Sequence, residues 1–254
     1  MKWKVELRNI SGDRRLLADV LSKLSITLIG DNQDTYFTGT VLDRLETPSD
    51  VRKYASRLQL IVHHASTYEP RINLGFKIGC IMETMPCGPD KQHYFLKIRD
   101  AVHTQYVTRA ALTVTPDESI SVEERQLMKE QCAEREYQER RLIAANRIVS
   151  AAIDNRAYTA QRLLAGDLLP LSLGHIADLI KDDLGSRITD LASNNEWKRF
   201  YRSINHPDVF GENARHIVSK DDPPPNPMTL SEARNFIHRV TEKWLAAKTA
   251  SMGV

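Results

Sequence analysis

The sequence lacks the features that mark membrane, disulfide-rich and zinc-binding proteins. No apolar run approaches the roughly 20 residues of a membrane span, and residues 1–9 alternate charged with apolar side chains, unlike a signal peptide. The three cysteines, Cys80, Cys87 and Cys132, have no Cys-x-x-Cys spacing. We therefore expect no disulfide, no metal, no membrane association and a cytoplasmic location.

An excess of charge of one sign is also absent. The 254 residues include 35 Lys and Arg against 33 Asp and Glu, which gives a net charge of +2. Such a chain has no overall attraction for nucleic acid or an anionic membrane. No phosphate-binding loop and no nucleophile elbow are present, so no cofactor is predicted. The 41% hydrophobic and 27% charged content is typical of a core-forming protein.

The pattern of the sequence changes near Thr115 and Pro116, and this change predicts two domains. Short β-branched and aromatic runs come before it, and sequence of helical period comes after it. We assign residues 1–115 to an α+β sandwich domain and residues 118–254 to an all-α helical domain. The predicted fold class is therefore α+β.

The first domain has its predicted elements in the order β-α-β-β-α-β-β. This is the order of a ferredoxin-like sandwich with an extra hairpin, in which two helices cover one face of an antiparallel sheet. A further strand is predicted over residues 111–114. The strands are predicted over residues 3–7, 26–29, 35–42, 71–82 and 93–98, and the helices over residues 14–24 and from Thr47 onward.

The second domain is predicted to contain a long helix from Glu118 to near Leu164, whose first half is charged and nearly balanced. That half projects as an arm or packs against a partner. Two helices hinged at Gly185 follow, over residues 172–184 and 186–200, and a final helix covers residues 231–248. Residues 201–228 between them show little periodicity, and a loop of that length in a compact domain is typically functional or mobile.

The end of the chain carries one resemblance to a known family. The relevant residues are Phe200, Ile204 and Asn205, then Gly211, Ala214, Arg215 and His216, then Pro225, Pro227, Met228, Leu230, Glu232 and Ala233, and finally Trp244 and Leu245. This pattern resembles the C-terminal helical module of uncharacterised bacterial proteins, which is similar to abortive-infection and HEPN-type helical domains. HEPN ribonucleases carry an Arg followed a few residues later by a His, and the run from Arg199 to His206 is similar.

The resemblance implies metal-independent cleavage of RNA. His206 would act as general base toward a ribose 2′-hydroxyl, and Arg199 or Arg202 would stabilise the charge of the transition state. Arg215 and His216 are the candidate binding residues. The same loop contains His206, Asp208, Glu212 and His216, which are metal-ligand types, but their generic spacing is broken by Pro207 and does not predict a metal.

Two functions follow from these observations. The favoured interpretation is a non-catalytic interaction or regulatory protein in a bacterial multi-protein assembly, with a protein partner or a second copy of itself. The alternative is a HEPN-like ribonuclease effector with RNA as substrate, acting in defence against phage. A nucleic-acid-binding module is a third class, but it requires a basic surface that neither half displays.

Overall fold

The computed structural model describes residues 2–30, 34–69, 71–85, 89–95, 122–216 and 222–251, with side chains from residue 126 onward in the fifth range. The chain forms two compact units, Met1–Ala145 and Asn146–Val254. The first is built on a five-stranded antiparallel sheet with helices and the second is helical, which confirms the α+β class. The predicted domain boundary between residues 115 and 118 lies outside the described residues and stays a prediction.

Within its described residues, the first unit contains five strands and three complete helices. The strands are β1 (Trp3–Ser11), β2 (Ile26–Gly30), β3 (Thr35–Gly39), β4 (Gly75–Glu83) and β5 (Lys91–His93). The helices are α1 (Arg14–Lys23), the single turn α2 (Thr40–Asp43) and α3 (Pro48–Tyr68), and the first part of α4 (Val122–Ile153) also belongs to this unit.

The sheet has the strand order β2-β3-β1-β4-β5, and every neighbouring pair is antiparallel. The first four strands follow the ferredoxin-like arrangement, and β5 adds to β4 as the extra strand that the sequence predicts. The strand predicted over residues 111–114 lies outside the described part of the chain.

Alternation of side chains along β1 places one face of the sheet against the helices. Trp3, Val5 and Leu7 are buried, while Lys4 and Glu6 lie on the other face and are more accessible. The two longer helices α1 and α3 begin where the sequence supplies capping groups. Asp13 accepts the Leu16 N–H at the start of α1, and Thr47 accepts the Asp50 N–H at the start of α3.

Four strands of this unit differ from their predicted ranges by more than one residue. β1 continues to Ser11 instead of ending at residue 7, and β5 covers Lys91–His93 instead of residues 93–98, so that Tyr94 and Phe95 lie outside the strand. β3 ends at Gly39 instead of residue 42, because the chain turns there into α2. A Cβ at position 39 would lie 2.2 Å from the Ser25 carbonyl oxygen, so only glycine fits this turn. β4 begins at Gly75 instead of Arg71, since Asn73 before it has a left-handed φ of 42°.

The second unit is a bundle of helices. It contains the end of α4, α5 (Asn155–Leu164), α6 (Pro170–Leu184), α7 (Asn194–Asn205), the single turn α8 (Pro207–Phe210) and α9 (Leu230–Ser251), with 3₁₀ segments at Gly185–Asp190 and Gly211–Asn213. Its core is formed by apolar residues of α5, α6, α7 and α9, among which Trp197, Trp244, Phe200 and Phe236 are the largest. No helix within the described ranges is long and apolar enough to cross a membrane.

Two of the predicted helices are wrong in their extent, because capping residues interrupt a continuing helical pattern. The long helix predicted to run to Leu164 breaks at Asp154, whose carboxylate accepts the Ala157 N–H and starts α5. The helix predicted over residues 186–200 is a 3₁₀ segment followed by α7. Ser193 and Glu196 form a capping box that starts α7, and α7 continues to Asn205, into the predicted loop.

Candidate functional site

The candidate residues lie along and just after α7, in the second unit. Trp197, Phe200 and Ile204 form the buried face of this helix. Arg199 and Arg202 belong to the more accessible part of its circumference, and His206 is its C-cap. The backbone N–H of Arg215 donates to the Ile204 carbonyl at 2.8 Å, so the chain returns beside the same helix end. The backbone therefore gathers most of the predicted residues at one end of α7.

The side chain of Arg199 binds the segment that precedes α9. Its Nε donates to the Asn226 carbonyl at 2.8 Å, and its Nη2 donates to the Pro227 carbonyl at 3.3 Å and to Glu232 Oε1 at 3.0 Å. Backbone and side-chain hydrogen bonds from Thr229, together with Arg199, hold the pKa of Glu232 below its ordinary value of 4.5. Arg199 thus joins α7 to the start of α9.

Arg202 and His206 also make contacts within the protein. Arg202 Nη2 donates to the Asp222 carbonyl at 3.2 Å. His206 is 6% exposed and serves as the N-cap of α8, where its Nδ1 accepts the Asp208 N–H at 3.2 Å. A general base must reach the proton that it abstracts. His206 would meet that condition only after a local rearrangement, because the folded chain buries its ring.

Arg215 pairs across to α6. Its Nη2 lies 2.5 Å from Asp178 Oδ2, and its stem passes over Gly174, where an added Cβ would lie 2.7 Å from Arg215 Cδ. Burial raises the pKa of Tyr201 to about 12, and the neighbouring Asp178 carboxylate adds to the rise. The Tyr201 phenol is therefore protonated at neutral pH. His216 is exposed.

The three arginines thus point toward three different partners. Arg199 reaches the start of α9, Arg202 reaches Asp222, and Arg215 reaches α6. Bonds of this kind attach the segment after α7 to the bundle. The structure places the candidates near one helix end but directs their donors to groups of the protein itself.

The described residues contain no group of three or more His, Cys, Asp or Glu side chains that could hold a metal ion. His206, Asp208, Glu212 and His216, the metal-ligand types noted in the sequence, do not form such a group. The expectations that no metal and no cofactor are bound stay predictions.

A charged cluster that the sequence analysis did not identify joins three helices of the second unit. The Lys248 ammonium of α9 lies 2.8 Å from Asp154 at the start of α5 and 2.8 Å from Asp183 of α6. Asp183 also accepts the indole N–H of Trp244 at 2.7 Å. The role of Asp154 as an N-cap can be recognised from the local sequence. Its ion pair with Lys248, 94 positions away, cannot.

Among the described residues of the first unit, Cys80 is the buried thiol to consider as a nucleophile. Burial, with a hydrogen bond to Glu6, raises its pKa to about 11. The Glu6 carboxylate accepts the Cys80 backbone N–H at 2.8 Å and is held by Arg8 at 2.7 and 2.9 Å. Since the thiolate is the reactive form, the raised pKa of Cys80 disfavours a nucleophilic role at neutral pH.

Comparison of the chain with family models, with curated proteins and with solved structures finds no match.

The hydrogen bonds of Arg199 lead to a stability prediction. We expect Arg199→Lys to lower the free energy of unfolding by about 1–2 kcal/mol, because an ammonium cannot reproduce the planar fork that reaches Asn226, Pro227 and Glu232. Urea unfolding would measure the change. Arg187→Lys is the matched control, since the Arg187 side chain is 73% exposed and, among the described residues, its ion pair is with Asp190. Equal midpoints for the two variants would contradict the structural role of Arg199.

Proposed function

We propose that this chain is a non-catalytic interaction or regulatory protein of a bacterial multi-protein assembly, located in the cytoplasm. The observation that carries the proposal is the first described stretch of α4. All ten residues from 126 to 135 are exposed, and we call this stretch the α4 arm. Leu127 and Met128 are among them, at 56% and 54% exposure.

The α4 arm is a preformed helix because it extends a helix that is fixed further along. From Glu136 onward the helix contacts its own unit, where Tyr137 donates to Asp13 at 2.9 Å and Arg140 to Glu69 at 2.8 Å. Gln126 bonds Glu130 one turn along the arm. A separate helix of ten residues would be marginal in water.

A preformed helix loses little conformational entropy when it binds a partner. Its two large exposed apolar side chains, Leu127 and Met128, are the groups whose burial would favour binding, at about 25 cal/mol per Å² of apolar surface removed from water. The charges between residues 126 and 135 are balanced, with Lys129 and Arg135 against Glu130 and Glu134. Such an arm suits a protein partner with a small apolar groove better than a nucleic acid.

The proposal predicts a position-specific contact in the cell. With a photoreactive amino acid in place of Leu127, we expect illumination to give an adduct with one discrete protein. The same replacement at Leu60, which is 44% exposed on α3, is the matched control and should not give that adduct. Adding Met128→Glu should lower the adduct yield roughly tenfold. Replacing an apolar side chain of the interface by a charged one should reduce the binding free energy by about 1.4 kcal/mol, which lowers the affinity tenfold.

The proposal fails if Leu127 gives no adduct, or gives the same adducts as Leu60. It also fails if Met128→Glu leaves the yield unchanged while the variant melts at the temperature of the unsubstituted protein.

The alternative function is a HEPN-like ribonuclease effector that acts on RNA in defence against phage. The observation that favours it is the position of Arg202, His206 and Arg215 at the C-terminal end of α7, with Arg199 at the middle of the same helix. The bonds that these side chains make within the protein favour the interaction role. The deciding experiment is a matched pair of substitutions at His206, argued below.

A further inference from the structure

The α4 arm carries two sulfur atoms, one turn of the helix apart. Met128 is 54% exposed, and Cys132 is exposed as well. Residues four positions apart are neighbours on the surface of a helix, so the thioether and the thiol lie on the same side of the arm. The arm therefore presents to solvent both types of side chain that are oxidised at sulfur.

Exposure separates Met128 from the other methionines that the structure describes. Met228 is 4% exposed in the core of the second unit, and Met82 and Met85 are half-buried, within and just after β4. An oxidant must reach a sulfur atom before it can transfer oxygen to it, so susceptibility follows exposure. We therefore expect Met128 to react before these three methionines.

We propose that Met128 is a redox-sensitive modification site, and that its oxidation to the sulfoxide releases the partner from the α4 arm. The inference rests on the proposed function, because the arm is the surface that is regulated. The oxidant is a hypohalous acid, such as hypochlorous acid. Its oxygen forms a bond to the thioether sulfur, the sulfur gives up two electrons, and the oxygen–chlorine bond breaks to release chloride and a proton.

The effect on binding follows from how few apolar groups the arm offers. Between residues 126 and 135 the large exposed apolar side chains are Leu127 and Met128. Oxidation makes the second of them polar. A sulfoxide oxygen that is hydrated in the free arm would lose its water in an apolar groove, which costs free energy unless the groove supplies a hydrogen bond. One modification thus removes an apolar contact and adds a penalty.

The fold itself should tolerate the modification. All ten residues from 126 to 135 are exposed. In the described part of the chain, α4 first pairs with the rest of its unit two turns after Met128, where Glu136 binds Arg71 and Tyr137 binds Asp13. Methionine sulfoxide is also reduced back to methionine by dedicated reductases, so the change in the arm is reversible.

The first test locates the added oxygen in the pure full-length protein. With increasing amounts of hypochlorous acid, peptide mass spectrometry should show one added oxygen at Met128 before any at Met82, Met85 or Met228. Thermal melting should stay unchanged while Met128 alone among them has reacted. In urea the four should react alike, because the fold no longer protects three of them. Oxidation of any of the other three before Met128 in the folded protein would overturn the proposal.

The second test measures binding of the oxidised arm. Protein with the photoreactive amino acid at position 127 is oxidised until Met128 has reacted, freed of oxidant and illuminated in a cell extract. The yield of the discrete adduct should fall roughly tenfold relative to the untreated sample, the change expected for Met128→Glu. Treatment with a methionine sulfoxide reductase before illumination should restore it.

Two variants assign the response to the thioether. Met128→Leu has no sulfur at this position, and Cys132→Ser has no thiol one turn further along. Each variant is compared with its own untreated sample. Oxidation should leave the yield of Met128→Leu where it was, and should lower that of Cys132→Ser roughly tenfold. A loss in Met128→Leu, or an unchanged yield in Cys132→Ser, would refute the role of Met128.

The two proposals fail in different ways. If position 127 gives no discrete adduct before oxidation, the interaction role is refuted, and the switch is refuted with it. If the adduct forms and survives complete oxidation of Met128, the interaction role stands and the switch alone is refuted.

Discussion

Lys248→Met is expected to lower the free energy of unfolding by about 3 kcal/mol, the largest change in stability that we anticipate from a single substitution. The ammonium lies 2.8 Å from both Asp154 and Asp183, and the three side chains are only 13%, 19% and 16% exposed. Methionine keeps most of the length of the stem but removes the charge. Two poorly hydrated carboxylates would then lose their shared cation, which is strongly destabilising, although Asp183 keeps the Arg156 guanidinium at 3.8 Å.

The matched control is Arg187→Met. Arg187 pairs with Asp190 at 3.5 Å, and the two side chains are 73% and 62% exposed. Water already screens such a pair, so its loss should leave the urea midpoint nearly unchanged. Similar urea midpoints for Lys248→Met and Arg187→Met would show that the Lys248 cluster does not stabilise the fold.

The same cluster predicts how the difference depends on pH. Burial opposes ionisation of Asp154, but hydrogen bonds from Lys248 and from the Ala157 N–H outweigh it and lower the pKa of Asp154 below 3.8. Its contribution to stability is therefore present above 3.8 and is lost as pH falls through the lowered pKa. Burial also opposes the charge of Lys248, yet bonds to Asp154 and Asp183 raise its pKa above 10.5.

The contribution of Lys248 is complete below pH 10.5 and is lost as pH rises through the raised pKa. The gap in unfolding free energy between the wild type and Lys248→Met should therefore be constant near neutral pH and should narrow at both extremes. Urea unfolding at several pH values would measure it.

Local signals in the sequence were sufficient for much of the fold. The alternation from Trp3 to Leu7, the cap at Asp13 and the Pro48 start of α3 each specify an element through residues close in the chain. The order of those elements then restricted the sheet to few arrangements. The helix breaks at Asp154 and Ser193 were not predicted. At both positions the helical spacing of apolar residues continues across the capping residue, and that spacing favours one uninterrupted helix.

The candidate site was harder to predict, because the relevant contacts are distant in sequence. Arg215 pairs with Asp178, 37 residues away, and Lys248 pairs with Asp154, 94 residues away. No periodicity or spacing encodes such a pair. The run from Arg199 to His206 was visible as a motif, but the bonds that attach its side chains to the following segment depend on packing.

His206 decides between the two functions, and we expect the pure wild-type protein not to cleave RNA when divalent ions are removed. The His206 ring is 6% exposed and caps α8, which is a structural role. Substitution by alanine removes the cap and should lower stability by about 1 kcal/mol, a typical value for the loss of an N-cap acceptor. Asparagine is a good N-cap residue and carries no base, so His206→Asn should retain most of that stability.

The pair of variants therefore separates structure from chemistry. If His206 were the general base, His206→Ala and His206→Asn would both lose roughly 10²–10⁴-fold in cleavage rate, although only His206→Ala would melt early. If the protein is an interaction module, neither variant changes RNA turnover or cell toxicity beyond the effect of stability. The measurements are cleavage of labelled single-stranded RNA in a chelator and thermal melting of the same preparations. Robust cleavage by the wild type, lost in His206→Asn with the melting temperature intact, would establish the ribonuclease function and refute the interaction role.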